Sequence, residues 1–386
     1  MQKNVLFSAL IGLVALGLIA HAARGTPYAV SALIGGLAGF ALYHAAFGFT
    51  AAWRRLQRER RGAGLRAQML LIGLTCLITF PLMTYGGEIG VPASGNILPM
   101  TVASAVGALV FGIGMQLGGG CASGTLFTTG GGSARMLIVL IFFIVGSVAA
   151  TASYDTWRAW PRVFPHTSLI RELGLPVAMA VMAAALGLIW WSSARIERSR
   201  HGSLEAPRQS GPLLYGPWSL TLGAVVLAVV GIATMANSGR PWGVTWGFAL
   251  WGAHGAEVLG FEVRDWTYWH GWRGQALDQG LFGVTTSVMN FGIVFGAMAA
   301  AALAGRFSPS LKLSARDMVT AIVGGLMMGY GARMAYGCNI GAYLGGLVSG
   351  SLHGWWWLIW GFAGSLIGTR LRAMLAMDPP LTSKPA

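Results

Sequence analysis

The chain has 386 residues, of which 55% are hydrophobic and 10% charged. Its mean hydropathy is +0.62. Soluble domains carry about a quarter charged residues, so this composition excludes a mostly wetted surface and points to a lipid bilayer. The formal charge of +14 would suggest nucleic acid in a soluble protein. Here Arg and Lys collect in short loops, as the positive-inside rule expects, and no nucleic-acid partner is read from them.

In chain order, the apolar stretches 5–20, 68–84, 136–150, 176–191, 218–235, 280–305 and 355–368 are candidate spans. Lys3, the first apolar run and Ala20-His21-Ala22 have the outline of a signal peptide, but the run is long for one and reads as a retained helix. One basic loop holds Arg54, Arg55, Arg58, Arg60, Arg61 and Arg66. A second holds Arg195, Arg198, Arg200 and Arg208, and a weaker third holds Arg306, Lys312 and Arg316. With these inside the cell, 86–99 lies outside and 101–133 returns inward. Residues 154–172 then lie outside despite Arg158, Arg162 and Arg171, a mild breach of the rule. Residues 239–260 read as re-entrant, which bilayers tolerate only where protein or a water-filled cavity covers the backbone. The segment 318–345 runs outward and 353–371 returns, leaving a tail with Arg370, Arg372 and Lys384. The Trp-rich stretches 266–272 and 355–357 read as headgroup anchors.

The expected fold is an all-α polytopic membrane protein with about ten spans, re-entrant elements and inverted repeats. Residues 1–192 form the first repeat, 193–216 a cytoplasmic linker, 217–371 the second repeat and 372–386 a cytoplasmic tail. Both termini fall on the cytoplasmic side.

Three cysteines make no disulfide framework, and no cofactor, metal or ATP-binding spacing is present. Two of the three sit in matching segments. The first is Gly112-Ile-Gly114-Met-Gln-Leu-Gly118-Gly-Gly120-Cys121-Ala-Ser-Gly124. The second is Gly329-Tyr-Gly331-Ala-Arg333-Met-Ala335-Tyr-Gly337-Cys338-Asn-Ile-Gly341. The first lies on an inward-running segment and the second on an outward-running one. Inverted repeats of this kind place a substrate site at their interface. Breaks at Gly118–Gly120 and Gly337 free backbone N–H groups, and half-helix N-termini bind anions. Close helix packing is the alternative for the glycines alone, but it leaves the cysteines unexplained. A thiol in a dry site keeps its proton and is a weak donor, so an anionic ligand can leave. Cys76, alone in an apolar run, reads as a small hydrophobe.

Arg333 reads as an attractor of the anion, with snorkelling to an interface as the alternative. Glu257 and His254 read as a gate or proton relay, or as an ion pair reaching Arg333. Gln116 and Asn339 either hydrogen-bond substrate oxygens or tie helices together.

These motifs resemble the YeeE/YedE family of membrane transporters for thiosulfate and related sulfur compounds. The resemblance implies an hourglass path lined by three cysteines, with delivery to a cytoplasmic TusA-like sulfur carrier. Cys121 and Cys338, each after a glycine (Gly120, Gly337), match two of the three. The third falls in His44-Ala-Ala-Phe47-Gly48-Phe49-Thr50-Ala-Ala-Trp53-Arg54, where Gly48 stands in place of the family's cysteine. The implied function is uptake of a small sulfur anion, foremost thiosulfate, across the inner membrane by a protein that is not an enzyme. A membrane sulfurtransferase using cysteine persulfides, or uptake of a selenium compound, are the alternatives.

Overall fold

Hydrocarbon offers no water to backbone N–H and C=O groups, so apolar stretches close their hydrogen bonds internally as helices. The computed structural model describes residues 1–309 and 312–378. The chain opens with α1 (Lys3–Arg24), α2 (Thr26–Ala45), α3 (Phe49–Glu59) and α4 (Ala63–Tyr85). After β1 (Met100–Thr101) come α5 (Val102–Gly118), α6 (Ala122–Gly130) and α7 (Ala134–Ala152). The short elements α8 (Tyr154–Arg158), β2 (Arg162–Phe164) and α9 (Leu169–Leu173) lead into α10 (Leu175–His201). Next are α11 (Leu220–Ser238), α12 (Thr245–Val258), α13 (Trp272–Asp278), α14 (Thr285–Leu303) and α15 (Ala315–Met334). A π-helical turn over Asn339–Leu344, α16 (Gly345–Leu347) and α17 (Leu352–Met374) complete the described chain. The two strands pair antiparallel, Met100 opposite Phe164.

Among the described residues, nine helical runs are long and apolar enough to cross a membrane. α17 matches them in length at 23 residues and packs along α5, but is richer in Trp and Gly. The protein is thus an all-α polytopic membrane protein. Phe7, Leu18, Leu33, Leu188 and Val229 are among the large apolar side chains turned outward, as a lipid-facing belt requires. α12 has 14 residues, too few to span, and buries Thr245, Phe248, Ala249 and Leu250 in protein.

Glycines set how closely the helices approach. Gly35 and Gly39 of α2 abut the backbone of Met289 and Ile293 on α14, and Gly292 and Gly296 abut Ala32 and Gly36 in return. α5 and α15 lie antiparallel in contact: Gly107 faces Gly331 and Met334, while Gly114 and Gly118 face Gly324, Met327 and Met328.

One end of the molecule gathers Gln2, bonded to Ala302 and Phe307, and the loop between α3 and α4, bonded to Glu197. It also gathers Asp378, paired with Arg58. Both ends of the described chain therefore lie beside the arginine-rich loops. Segments 96–103, 154–162 and 240–286 contribute to a cavity at the opposite end.

Three sequence expectations need revision. α10 continues to His201, so the linker expected from 193 begins inside a helix. α17 runs past 371 to Met374, and Lys384 of the tail lies outside the described residues. The expected headgroup anchors Trp269 and Trp357 are instead 2% and 1% exposed, packed in the protein interior. Their indole N–H groups account for this: Trp357 donates to Gly337 O at 3.2 Å and Trp269 to Thr151 Oγ1 at 3.3 Å.

Candidate functional site

The paired motifs fold into the same local structure twice. α5 stops at Gly118 and α15 at Met334; after each break a cysteine caps a new short helix. Cys121 takes φ −81°, ψ −173°, and Cys338 takes φ −100°, ψ −166°. Gly119 turns the first chain at φ +89°, a conformation glycine adopts without steric cost. In the second break Tyr336 takes φ +62°, costing a non-glycine residue about 1 kcal/mol.

The outer glycines of the motifs mirror one another as well. Gly112 packs on α17 at Gly361 and Ser365, while Gly329 packs on α7 at Phe143 and Ser147. Gly114 packs on α15, and Gly331 packs on α5. Those four glycines serve helix contact, whereas Gly119, Gly120 and Gly337 serve the breaks. Helix packing, one of the readings open from sequence, thus accounts for those four glycines, and the chain breaks for the other three.

Both thiols are buried, Cys121 at 1% and Cys338 at 0% exposure, and both belong to the main cluster of buried apolar residues. The Cys121 Sγ contacts Ser123 Oγ at 3.5 Å. The Ala342 N–H donates to the backbone oxygen of Cys338 at 2.9 Å. Beside it, Asn339 is fully buried and neither its amide oxygen nor its nitrogen has a partner; the Tyr343 hydroxyl is likewise unpartnered. Unpaired buried polar groups cost about 1–3 kcal/mol each, a cost retained only where something else uses the group. Cys76 points elsewhere, with its sulfur 3.8 Å from Leu347 O.

A cavity of about 960 Å³ opens beside the second motif, lined by its Arg333, Tyr336 and Gly341. Its walls carry Arg158, Arg162, Arg240, Arg273 and Arg333, with no Asp or Glu among the lining residues, and Gly341 lies at its edge. Arg333 does not snorkel away: Nη2 donates to Thr245 Oγ1 at 2.7 Å and Nη1 to the Tyr268 hydroxyl at 3.3 Å. Its Nε has no partner. Sequence reasoning missed Arg240 and Arg273 and treated Arg158 and Arg162 as exceptions. The breach of the positive-inside rule was the signal that could have found them.

Glu257 and His254 do not reach Arg333. Glu257 pairs with His254 at 3.2 Å and with Arg264 at 2.9 Å, and neither lines the cavity. Gln116 is spent on the protein: its amide nitrogen donates to Thr50 O at 3.1 Å and Ser365 Oγ at 2.9 Å. Its side-chain oxygen accepts from Arg54 at 3.4 Å. Gly48 caps α3, and a Cβ built there would meet nothing within 4 Å.

A family profile described as Sulphur transport matches residues 44–367. The chain belongs to this family of YeeE/YedE transporters. It is 27% identical to the thiosulfate transporter TsuA of Spirochaeta thermophila, covering 84% of this chain and 92% of that protein. Against the TsuA of Escherichia coli identity is 25%, over 84% and 87%. The probable transporter YedE of Escherichia coli is 28% identical over 44% of this chain, which spans only 45% of that relative's length. Family and relatives are transporters rather than enzymes, so the chain is a multi-pass membrane transporter of sulfur compounds, with a small anion as substrate.

Proposed function

We propose that this transporter takes up thiosulfate through the inner membrane along a path from the arginine-lined cavity past Cys338 and then Cys121. The observation that carries the reading is the cavity itself: five arginines, no lining carboxylate, and an edge formed by the Cys338 motif. Clefts of one charge sign raise the local concentration of the opposite ion. The mirrored glycine packing supports an inverted repeat related through α5 and α15.

In this reading Arg333 draws the dianion to the base of the cavity, where the free Nε and the Asn339 amide replace part of its hydration. The two thiols, weak donors, then hold the terminal sulfur loosely enough for it to pass on. Arginine-rich loops at the opposite end support a cytoplasmic assignment for that face and for both termini. Delivery to a TusA-like carrier there completes the proposal.

The test is uptake of labelled thiosulfate into liposomes containing the purified protein. Wild type is expected to fill the vesicles, and Cys338→Ala and Cys121→Ala to fail. Equal flux in all three would overturn the role given to the thiols.

A further inference from the structure

The geometry points to a second anion site at the end opposite the cavity, formed by Arg54, Arg58 and Arg372 and occupied at rest by the protein's own Asp378. It rests on the transport reading for its ligand class, a small sulfur oxyanion leaving the path.

Asp378 Oδ1 accepts from Arg372 Nη2 at 2.6 Å and Nε at 3.1 Å. Its Oδ2 lies 3.1 Å from Arg372 Nε and 3.2 Å from Arg58 Nη1. The Asp378 and Arg372 side chains are only 7% and 10% exposed. Arg54 adds a third guanidinium: its Nη1 donates to Gln116 Oε1 at 3.4 Å, on the residue whose backbone oxygen Arg372 also holds at 2.7 Å. Glu59, on the same helix as Arg54 and Arg58, is paired with Arg55 at 3.1 Å. Three cations therefore face one carboxylate in a largely dry site.

A carboxylate needed only to fasten the backbone after α17 would be satisfied by Arg372 alone. The surplus positive charge is what a divalent oxyanion corrects, because it brings two charges and more acceptor oxygens to the guanidinium forks. Asp378 then acts as a tethered stand-in, displaced by each arriving anion and returning when it leaves.

The site borders the path. Arg372 Nη1 donates to Gln116 O at 2.7 Å, and Arg54 reaches the Gln116 side chain. Gln116 lies on the turn of α5 that ends at the Gly118–Cys121 break. It also donates to Thr50 O, two residues beyond Gly48.

Sulfate serves as the probe, since it has the charge and oxygen geometry of the proposed ligand without depending on transport. In purified full-length protein, sulfate is expected to raise the melting temperature of Asp378→Asn by about 3 °C more than that of wild type. Adding Arg58→Gln, which leaves the Arg372–Gln116 contact in place, should abolish the difference. In liposomes, Asp378→Asn should speed thiosulfate flux from the Asp378 side by about threefold. Equal sulfate shifts in wild type and Asp378→Asn would overturn the site. Wild type that carries no thiosulfate would instead overturn the transport reading, while the sulfate shift still decides the arginine site.

Discussion

Arg333 Nη2 donates to Thr245 Oγ1 at 2.7 Å, fastening the end of α15 to the first turn of α12. An intramembrane guanidinium is thereby held at the wall of the cavity rather than drawn to an interface. Arg333→Lys keeps the charge but loses the planar fork that serves both Thr245 and Tyr268. The expected outcome is a KM for uptake raised about tenfold at similar protein yield, with Arg333→Gln worse still. Initial uptake rates across a range of thiosulfate concentrations check it.

The cavity's charge predicts a salt effect. Five arginines with no lining carboxylate steer an anion over long range, and steering is screened within about 10 Å at 0.1 M salt. The uptake KM should rise between 20 mM and 300 mM of an inert salt, roughly twofold or more, while Vmax stays level.

Gly48→Cys should be accommodated. A Cβ there meets no atom within 4 Å and φ is −131°, so the change is expected to alter stability by about 0.5 kcal/mol at most. Gly296→Ala is the contrast: its Cβ would run into the Gly36 carbonyl on α2, and a loss of about 3 kcal/mol or failure to accumulate is expected. Thermal unfolding in detergent distinguishes the two.

Glu197 is fully buried and accepts from Gly62 N at 3.0 Å and Glu205 N at 2.8 Å while pairing with Arg61 and Arg66. Glu197→Ala strands Arg66 without its partner. About 3 kcal/mol of destabilisation is expected, seen as a lowered melting temperature.

The contact made by Asp378 should be insensitive to pH in the neutral range. Burial opposes its ionisation, but the Arg372 hydrogen bond and the charges of Arg372, Arg54 and Arg58 outweigh it, holding the carboxyl below its ordinary value of 3.8. A carboxyl shifted down contributes stability that is complete above its unfolded value and is lost only as pH falls through the folded one. The sulfate shift in Asp378→Asn relative to wild type should therefore be constant from about pH 5 to 8.

Much of the fold was legible because bilayer chemistry is severe: apolar runs must be helices, and the glycine breaks at Gly118–Gly120 and Gly337 are where the structure breaks. The matching breaks before Cys121 and Cys338 were legible because their spacing repeats. What stayed hidden depends on contacts across the sequence. Trp357 looked like an interfacial anchor until Gly337 O supplied a buried acceptor. Arg158 and Arg162 looked misplaced until folding set them beside Arg240, Arg273 and Arg333. Gln116 was open to substrate or to helix contacts until Thr50, Ser365 and Arg54 consumed its amide. No single-residue pattern carries that information, since each outcome rests on partners tens to hundreds of residues away.

Finally, the glycine contacts between α2 and α14 restrict how the molecule can move. Their main chains touch with no side chain between them, so neither helix can slide past the other by a residue without driving a Cβ into a carbonyl. That pair forms a fixed wall. On the proposed path past Cys338 and Cys121, passage is then expected to rest on small rearrangements of the thiols, Asn339 and the two short helices rather than on one half of the protein rocking against the other.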